Sequence, residues 1–174
     1  LNTLHRDILA LGIHQWNSWR EEHPDETPDL SGCDFTGCHL AEVNLSGCTL
    51  RGAFLTVSEL DGARLDDADM SEANLTGTDL SNASLAGTNL SGADMSFAIC
   101  TFADMTHADL SGARLTEAIF FNANMQGCTL RGAYLKDTIF TGADLRNADL
   151  TDLDLDAGLF DGATLSLPKR QLEK

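Results

Sequence analysis

Cysteine, histidine and carboxylate are the side chains here that could do chemistry, and their spacing is the first test of whether they do. Cys33, Cys38 and Cys48 form a C-x4-C then C-x9-C run, with Cys100 and Cys128 far downstream. Zinc needs close-spaced pairs of cysteine or histidine. His5, His14, His23, His39 and His107 pair with none of these thiols in a ligand pattern. Asp104 and His107 could meet as acid and base, yet catalysis needs a nucleophile, a base and an orienting group in one concave site. No third partner is in view. Calcium loops of the D-x-D-G-x-D kind, nonapeptide glycine repeats, phosphate loops and dinucleotide fingerprints are all missing. The expectation is therefore a non-enzyme with no cofactor, no metal and no evident small-molecule substrate.

What positions these residues is a beat of five. Every fifth residue from Leu30 to Leu165 is Leu, Met or Phe, Cys100 alone excepted, which makes 28 centres without an insertion. Two residues before most centres stands a small residue, such as Ala73, Ala93, Ala113 or Ala133. All five cysteines occupy a centre or a small position, where buried apolar groups belong, so they read as free core thiols. Helices and flat strands have periods of 3.6 and 2, so neither accounts for five. One side of a polygonal coil does: a short extended piece, then a turn. Four sides take 20 residues, and coils then stack at the inter-strand spacing of about 4.8 Å.

Totals bound the rest. A chain of 174 residues is normally one domain. A net charge of −16 disfavours direct nucleic-acid or anionic-membrane binding, which requires cations to displace counterions. Hydrophobic residues at 43% argue against disorder, and no apolar run is long enough to span a membrane. The odd thiol count and the absence of an evident signal peptide point to a cytoplasmic setting, an expectation that a targeting segment ahead of Leu1 would change.

The run A-D-L-S-G, A-N-L-T-G, A-S-L-A-G resembles the pentapeptide-repeat family over residues 30–165. The resemblance implies a right-handed quadrilateral β-helix, an all-β solenoid. Twenty-eight sides in fours predict about seven coils and a rod of about 34 Å. Taking every twentieth residue then gives columns. One inward column runs Leu40, Leu60, Leu80, Cys100, Phe120, Phe140, Phe160, beside small residues Cys38, Ser58, Thr78, Ala98, Ala118, Thr138 and Gly158. Small partners beside Phe keep the cross-section constant. No gap in these columns would enclose a ligand.

A solenoid must cover its ends. Residues 1–29 read as an N-terminal α-helical cap and acidic linker, bounded by Pro24 and Pro28. Leu4, Ile8 and Leu11 fall on a helical stripe, and Trp16 and Trp19 join them as expected cap anchors. Gly12 lowers helicity by about 1 kcal/mol relative to Ala. The stretch from Gly12 to Gly32 resembles a leader of bacterial, notably cyanobacterial, members of the family. At the far end, residues 166–174 form a short tail in which Pro168 stops the pattern, and the last coil is expected to need cover from the tail or from another copy.

Two departures from the repeat could carry function. The outward residues before the Phe-column centres read His39, Glu59, Asp79, Ile99, Ile119, Ile139, Leu159. With Phe102 and Phe121 these apolar groups form a candidate protein interface, self-association included, although stacked branched residues also stabilise neighbouring strands. Tyr134 and Phe54 read as isolated surface aromatics. The second departure is acidity: residues 30–165 hold 20 Asp or Glu against six Lys or Arg. One outward column alternates Asp29, Thr49, Asp69, Asn89, Asp109, Thr129, Asp149. Clusters at Asp66, Asp67, Asp69, Glu72 and at Asp149, Asp152, Asp154, Asp156 make a candidate acidic surface. Some family members of the quinolone-resistance type mimic duplex DNA and bind DNA gyrase, so the resemblance implies that alternative partner too. This chain lacks the loop insertions of some of those proteins, and its recognisable helix is at the wrong end for the C-terminal dimerising helix of others.

Overall fold

A computed structural model describes residues 3–166 of the chain. Two helices lead, α1 (Thr3–Leu9) and α2 (Ile13–Glu22). From Asp29 onward the backbone is a β-helical ladder. Parallel bridges join residues 20 apart in four series, beginning Asp29↔Thr49, Asp34↔Phe54, His39↔Glu59 and Asn44↔Arg64. Near the C-terminal end the bridges lengthen into two-residue strands: β1 (Thr138–Ile139), β2 (Asp144–Leu145), β3 (Gly158–Leu159) and β4 (Thr164–Leu165). β1 pairs in parallel with β3, and β2 with β4, keeping the step of 20 (Ile139↔Leu159, Leu145↔Leu165). A short 3-10 turn, Leu155–Ala157, interrupts the last coil.

The beat of five is visible atom by atom. Each centre donates its amide to the next coil, as Leu45 does to the Arg64 carbonyl at 2.7 Å, while the small residue three on donates back to the centre, as Cys48 does to Leu45 at 3.0 Å. That second bond closes a tight turn whose second residue takes a positive φ: 65° at Gly37, 58° at Asn82 and 57° at Asp67. Glycine and asparagine tolerate this left-handed region, and aspartate to a lesser degree, so they recur two places after the centres. The turn thus explains the identity of residues that the repeat pattern alone places only on the outside.

Inside, the centres from Leu45 to Phe140 are sealed from solvent, and the alanines beside them are buried too. Phe120 and Phe140 stack with ring centroids 5.2 Å apart, and Phe140 and Phe160 with centroids 4.8 Å apart. Inward hydroxyls are paired rather than left bare: Thr78 and Thr138 donate to the carbonyls of Leu55 and Leu115, both at 2.7 Å. Phe160, Leu155 and Leu165 are only half-buried, so the last coil is less well covered than the rest. The expected tail lies outside the described residues from 167 onward.

The cap differs from the single helix expected. Gly12, at φ 117°, breaks it into two segments. Trp16 is fully buried and donates its indole N–H to the Asn44 carbonyl at 2.7 Å, and Ile8 and Trp19 pack against the core. Leu4 and Leu11, expected as anchors, are 56% and 68% exposed, because the break at Gly12 turns the stripe away from the coil. Leu9 and two polar residues take their place. His5 accepts the Asp29 amide at 3.2 Å, and Arg20 donates to the carbonyls of Glu26 and Ser46 at 2.8 and 2.7 Å. A β-coil end exposes backbone as well as apolar surface, so its cap needs donors and acceptors in addition to grease.

Ala118→Leu should lower stability by about 1–3 kcal/mol through overpacking against Phe120, whereas Trp16→Ala should remove about 3–5 kcal/mol. Chemical denaturation of the two variants against the parent checks both values.

Candidate protein interface

The side bearing the Phe column presents Ile99, Ile119, Ile139 and Leu159 along one outward ladder, bridge to bridge. Ile99 and Leu159 are exposed at 37% and 56%; Ile119 and Ile139 are half-buried by one another. At one corner of this side, Phe102 and Phe121 meet edge to face with centroids 6.0 Å apart. All six residues of the candidate interface thus lie on one side and its edge. Phe97, 52% exposed, stands at the opposite corner and extends the patch.

Two of these aromatics stand at left-handed turn corners, as Val57, Glu72 and His107 do elsewhere in the chain. Phe97 and Phe102 hold φ of 61° and 58°, the turn position that glycine or asparagine usually fills. In the neighbouring coils the Phe102 corner carries Asn82 and Asn122. A bulky residue there costs about 1–2 kcal/mol, and both rings stay about half exposed, Phe102 gaining the edge-to-face contact with Phe121. The patch is bounded: towards the N-terminus the same side becomes polar, with His39 Nδ1 2.6 Å from Glu59 Oε2 and Asp79 accepting the Ser81 amide. Elsewhere Tyr134 is not isolated, since the Arg114 guanidinium sits 6.0 Å from its ring centroid and Arg114 also faces Asp94 at 3.6 Å.

The candidate acidic surface has a different local chemistry. An aspartate or asparagine just before a centre accepts the amide two residues on and so caps the turn. Asp69 holds Ser71, Asp149 holds Thr151 and Asp154 holds Asp156 in this way, at 3.0 to 3.2 Å. Asp66 reaches across to the next coil, accepting from the Ser84 hydroxyl and the Ala86 amide. Glu72 pairs with Arg51 at 3.0 Å and Asp152 with Arg131 at 3.7 Å. Asp67 occupies a left-handed corner and leans on Gly87, where a Cβ would stand 2.5 Å from its Oδ1. Asp156 is exposed at the start of the C-terminal 3-10 turn. The two sequence clusters are therefore largely turn caps and inter-coil ties.

Electrostatics follow from these caps. Thr151, through side chain and amide, holds the Asp149 carboxyl below the usual carboxylate range; Thr36 does the same for Asp34, and Ser31 for Asp29. Arg146 lowers Asp144, donating Nη2–H to Oδ2 at 2.6 Å. Asp104 is held by Thr106 and by Asn124 at 3.2 Å, while the His107 ring lies over Gly127. No hydrogen bond joins Asp104 to His107, so that acid–base pair does not form. Burial pushes the Cys48 and Cys128 thiols up to about 12 and raises Cys100 as well. All five cysteines are free. Among the described residues no group of three or more His, Cys, Asp or Glu is placed to hold a metal ion, and no helix is long and apolar enough to cross a membrane.

The pentapeptide-repeat family pattern matches the chain in eight copies, over residues 29–62, 58–96, 98–137 and 128–166. The chain belongs to the pentapeptide-repeat family. Among solved structures it is similar to HetL from the cyanobacterium Nostoc sp. strain PCC 7120, a pentapeptide-repeat protein involved in heterocyst differentiation regulation. Identity is 27%, over 83% of this chain and 76% of that one, with a TM-score of 0.52. It is also similar to QnrB1, a plasmid-mediated fluoroquinolone resistance protein (21% identity, 83% and 79% covered, TM-score 0.47). A third is Rfr23 from the cyanobacterium Cyanothece 51142 (21%, 86% and 93%, TM-score 0.44). A comparison with curated proteins finds no match. Pentapeptide-repeat proteins are typically non-enzymatic, and here Asp69, Asp104 and Asp149 are engaged in holding turn amides.

Depressed carboxyl pKa values mean that the cap stabilisation is complete above the unfolded value of about 3.9 and is lost as pH falls through the folded values. The thermal midpoint should accordingly drop as pH is taken from 5 toward about 2.5, and Asp149→Asn, which keeps the cap without the charge, should shallow that drop. A thiol reagent at neutral pH should modify the half-buried Cys33 and Cys38 first, and Cys48, Cys100 and Cys128 only after unfolding.

Proposed function

We propose that the chain is a non-catalytic scaffold or protein-binding module that docks through its isoleucine side in the C-terminal half, self-association being the first case to test. The frame we assign is a right-handed, four-sided β-helix of about seven coils over residues 30–165, with residues 1–29 as its cap. The step of 20 shared by four ladders supports that frame. The reading rests on one observation: Ile99, Phe102, Ile119, Phe121, Ile139 and Leu159 form a continuous, partly exposed apolar strip that Phe97 extends at the opposite corner. Contiguous apolar surface on a rigid side is what interfaces use. HetL, which shares the repeat frame at 27% identity, has a regulatory role of its own, and a regulatory role here accords with a protein that binds and does no chemistry. Bacterial, cyanobacterial-type origin and a cytoplasmic setting complete the proposal.

Solution mass by light scattering tests it. The parent should exceed the monomer mass, and the Ile119→Asp, Ile139→Asp double variant should return to it with its thermal midpoint within a few degrees. A monomeric parent that also loses no bound partner on double substitution would defeat the reading.

The second reading is an acidic DNA mimic that binds a type II topoisomerase such as DNA gyrase. What favours it is charge: 20 acidic against six basic residues over 30–165, with carboxylates recurring about 9.6 Å apart along the Asp69–Asp109–Asp149 column. Excess protein should then inhibit gyrase supercoiling or protect the enzyme from a quinolone, and an inert protein in both assays removes it.

A further inference from the structure

Several side chains at left-handed corners of the rod have a seat on the next coil. One coil on from Val57 stands Gly77, and one coil on from His107 stands Gly127. Each side chain lies over its glycine, where a Cβ would stand 3.2 Å from Val57 Cγ1 and 2.5 Å from His107 Nδ1. Asp67 and Asn122 lie over Gly87 and Gly142 in the same way. One coil on from Phe97 and Phe102, by contrast, stand Glu117 and Asn122. Neither ring has a glycine to lie over, and both stay about half exposed at the corners of the isoleucine side.

Bulk on this side is therefore uneven along the rod. Phe97, Phe102 and Phe121 crowd its first two apolar coils, while the equivalent positions nearer the C-terminal end hold Ala157, Gly162 and Thr141. A second copy can lie against the side about a two-fold axis in two ways. With the rods parallel, opposite corners meet at the same level. Phe97 of one copy then meets Phe102 of the other while Ala157 meets Gly162, so the contact is overfilled at one end and hollow at the other. Asp79 and Glu59 would also face their own counterparts. With the rods antiparallel, the axis crosses the side between Ile119 and Ile139, and each corner meets itself reversed. Ile119 faces Ile139 and Ile99 faces Leu159; Phe97 comes over Ala157, Phe102 over Gly162 and Phe121 over Thr141. Asp79 and Glu59 fall beyond the last coil of the other copy. Large meets small at every corner, and the acidic coils are kept apart.

The N-terminal end of the rod offers no comparable surface. Among the described residues nothing reaches the amide or the carbonyl of Asp34 or His39, but these two lie on adjacent sides broken by the Thr36–Gly37 turn. The helices, through His5, Trp16 and Asn17, hold the Asp29 and Asn44 positions of the same end. We infer that two copies of the chain pair side by side and antiparallel through the isoleucine side, about a two-fold axis between Ile119 and Ile139. The inference rests on the docking side proposed above and adds the identity and the orientation of what docks there. The overlap is four coils, about 19 Å of rod. That is small for an interface, so the dimer should form only as concentration rises. At one rim Glu117 comes opposite Asp137, both exposed and with Lys136 beside them, where salt screens the repulsion.

The test combines sedimentation of the full chain, from low micromolar to near millimolar concentration, with a distance between copies. A nitroxide on Asp61→Cys, an exposed corner outside the overlap, reports that distance by electron–electron dipolar spectroscopy. Cys33→Ala and Cys38→Ala remove the half-buried thiols from the same chain. The antiparallel pair sets the two labels about seven coil steps apart along the rod, a separation of about 35 Å; parallel rods would set them about 20 Å apart, and rods joined end to end at their last coils about 55 Å. Phe97→Ala with Phe102→Ala should weaken the dimer about tenfold or more. A dimer that gives the short or the long distance, or one undiminished in the double Phe variant, overturns the inference alone. A chain that is monomeric over the whole range overturns it too, and the docking reading is then decided by whether a bound partner is lost in the Ile119→Asp, Ile139→Asp variant.

Discussion

The fold depends on one constraint, that the chain return to the same backbone register after 20 residues. Parallel pairing then follows at four points per coil, and each bridge holds a small residue and a centre directly over their counterparts. Register is unforgiving here. A single inserted residue would carry Leu centres outward and polar turn residues inward for every coil beyond it, which is why 28 centres run without interruption. The tight turn between sides enforces the count, since the amide three residues past each centre bonds back to that centre along nearly the whole rod.

From that constraint comes a division of labour among residue types. The position two after the centre must accept a positive φ, the position before the centre gains from a side chain that can cap the turn, and the centre must fill a packed interior. Aspartate is favoured before the centre for its hydrogen bond to a backbone amide, so much of the acidity of the rod is a by-product of folding. Negative charge and turn capping are carried by the same atoms in Asp69, Asp149 and Asp154. Their carboxylates stay at the surface, and a basic partner could still read them. They are nevertheless explained without one. Phe97 and Phe102 have no such capping role: a left-handed corner gives an aromatic no conformational ease, and both rings stay about half exposed.

The two exposed features differ in kind. The isoleucine side is a strip of side chains on a fully hydrogen-bonded ladder, so whatever binds there gains mainly from apolar burial. The rim at Asp34 and His39 is a break in the ladder itself, where backbone groups are left over. Burial on the side is non-directional, whereas hydrogen bonds to backbone groups are directional.

Sequence alone determined the period, the inward column from Leu40 to Phe160 and the outward line from Ile99 to Leu159, because strict repetition makes residues 20 apart neighbours without any knowledge of coordinates. It also pointed to Trp16, whose indole is buried and donates to the Asn44 carbonyl. Leu4 and Leu11 were misjudged because a helical stripe assumes an unbroken helix, and Gly12 breaks this one. His5, Asn17 and Arg20 as backbone caps, the tie from Asp66 to Ser84 and Ala86, and the Arg114–Tyr134 contact were decided by tertiary structure alone. So was the uncapped rim. The physical reason is the same in each case: a repeat specifies contacts between equivalent positions, but where a non-repeating helix meets the end of the coil, partners are set by shape and by which backbone groups remain unpaired.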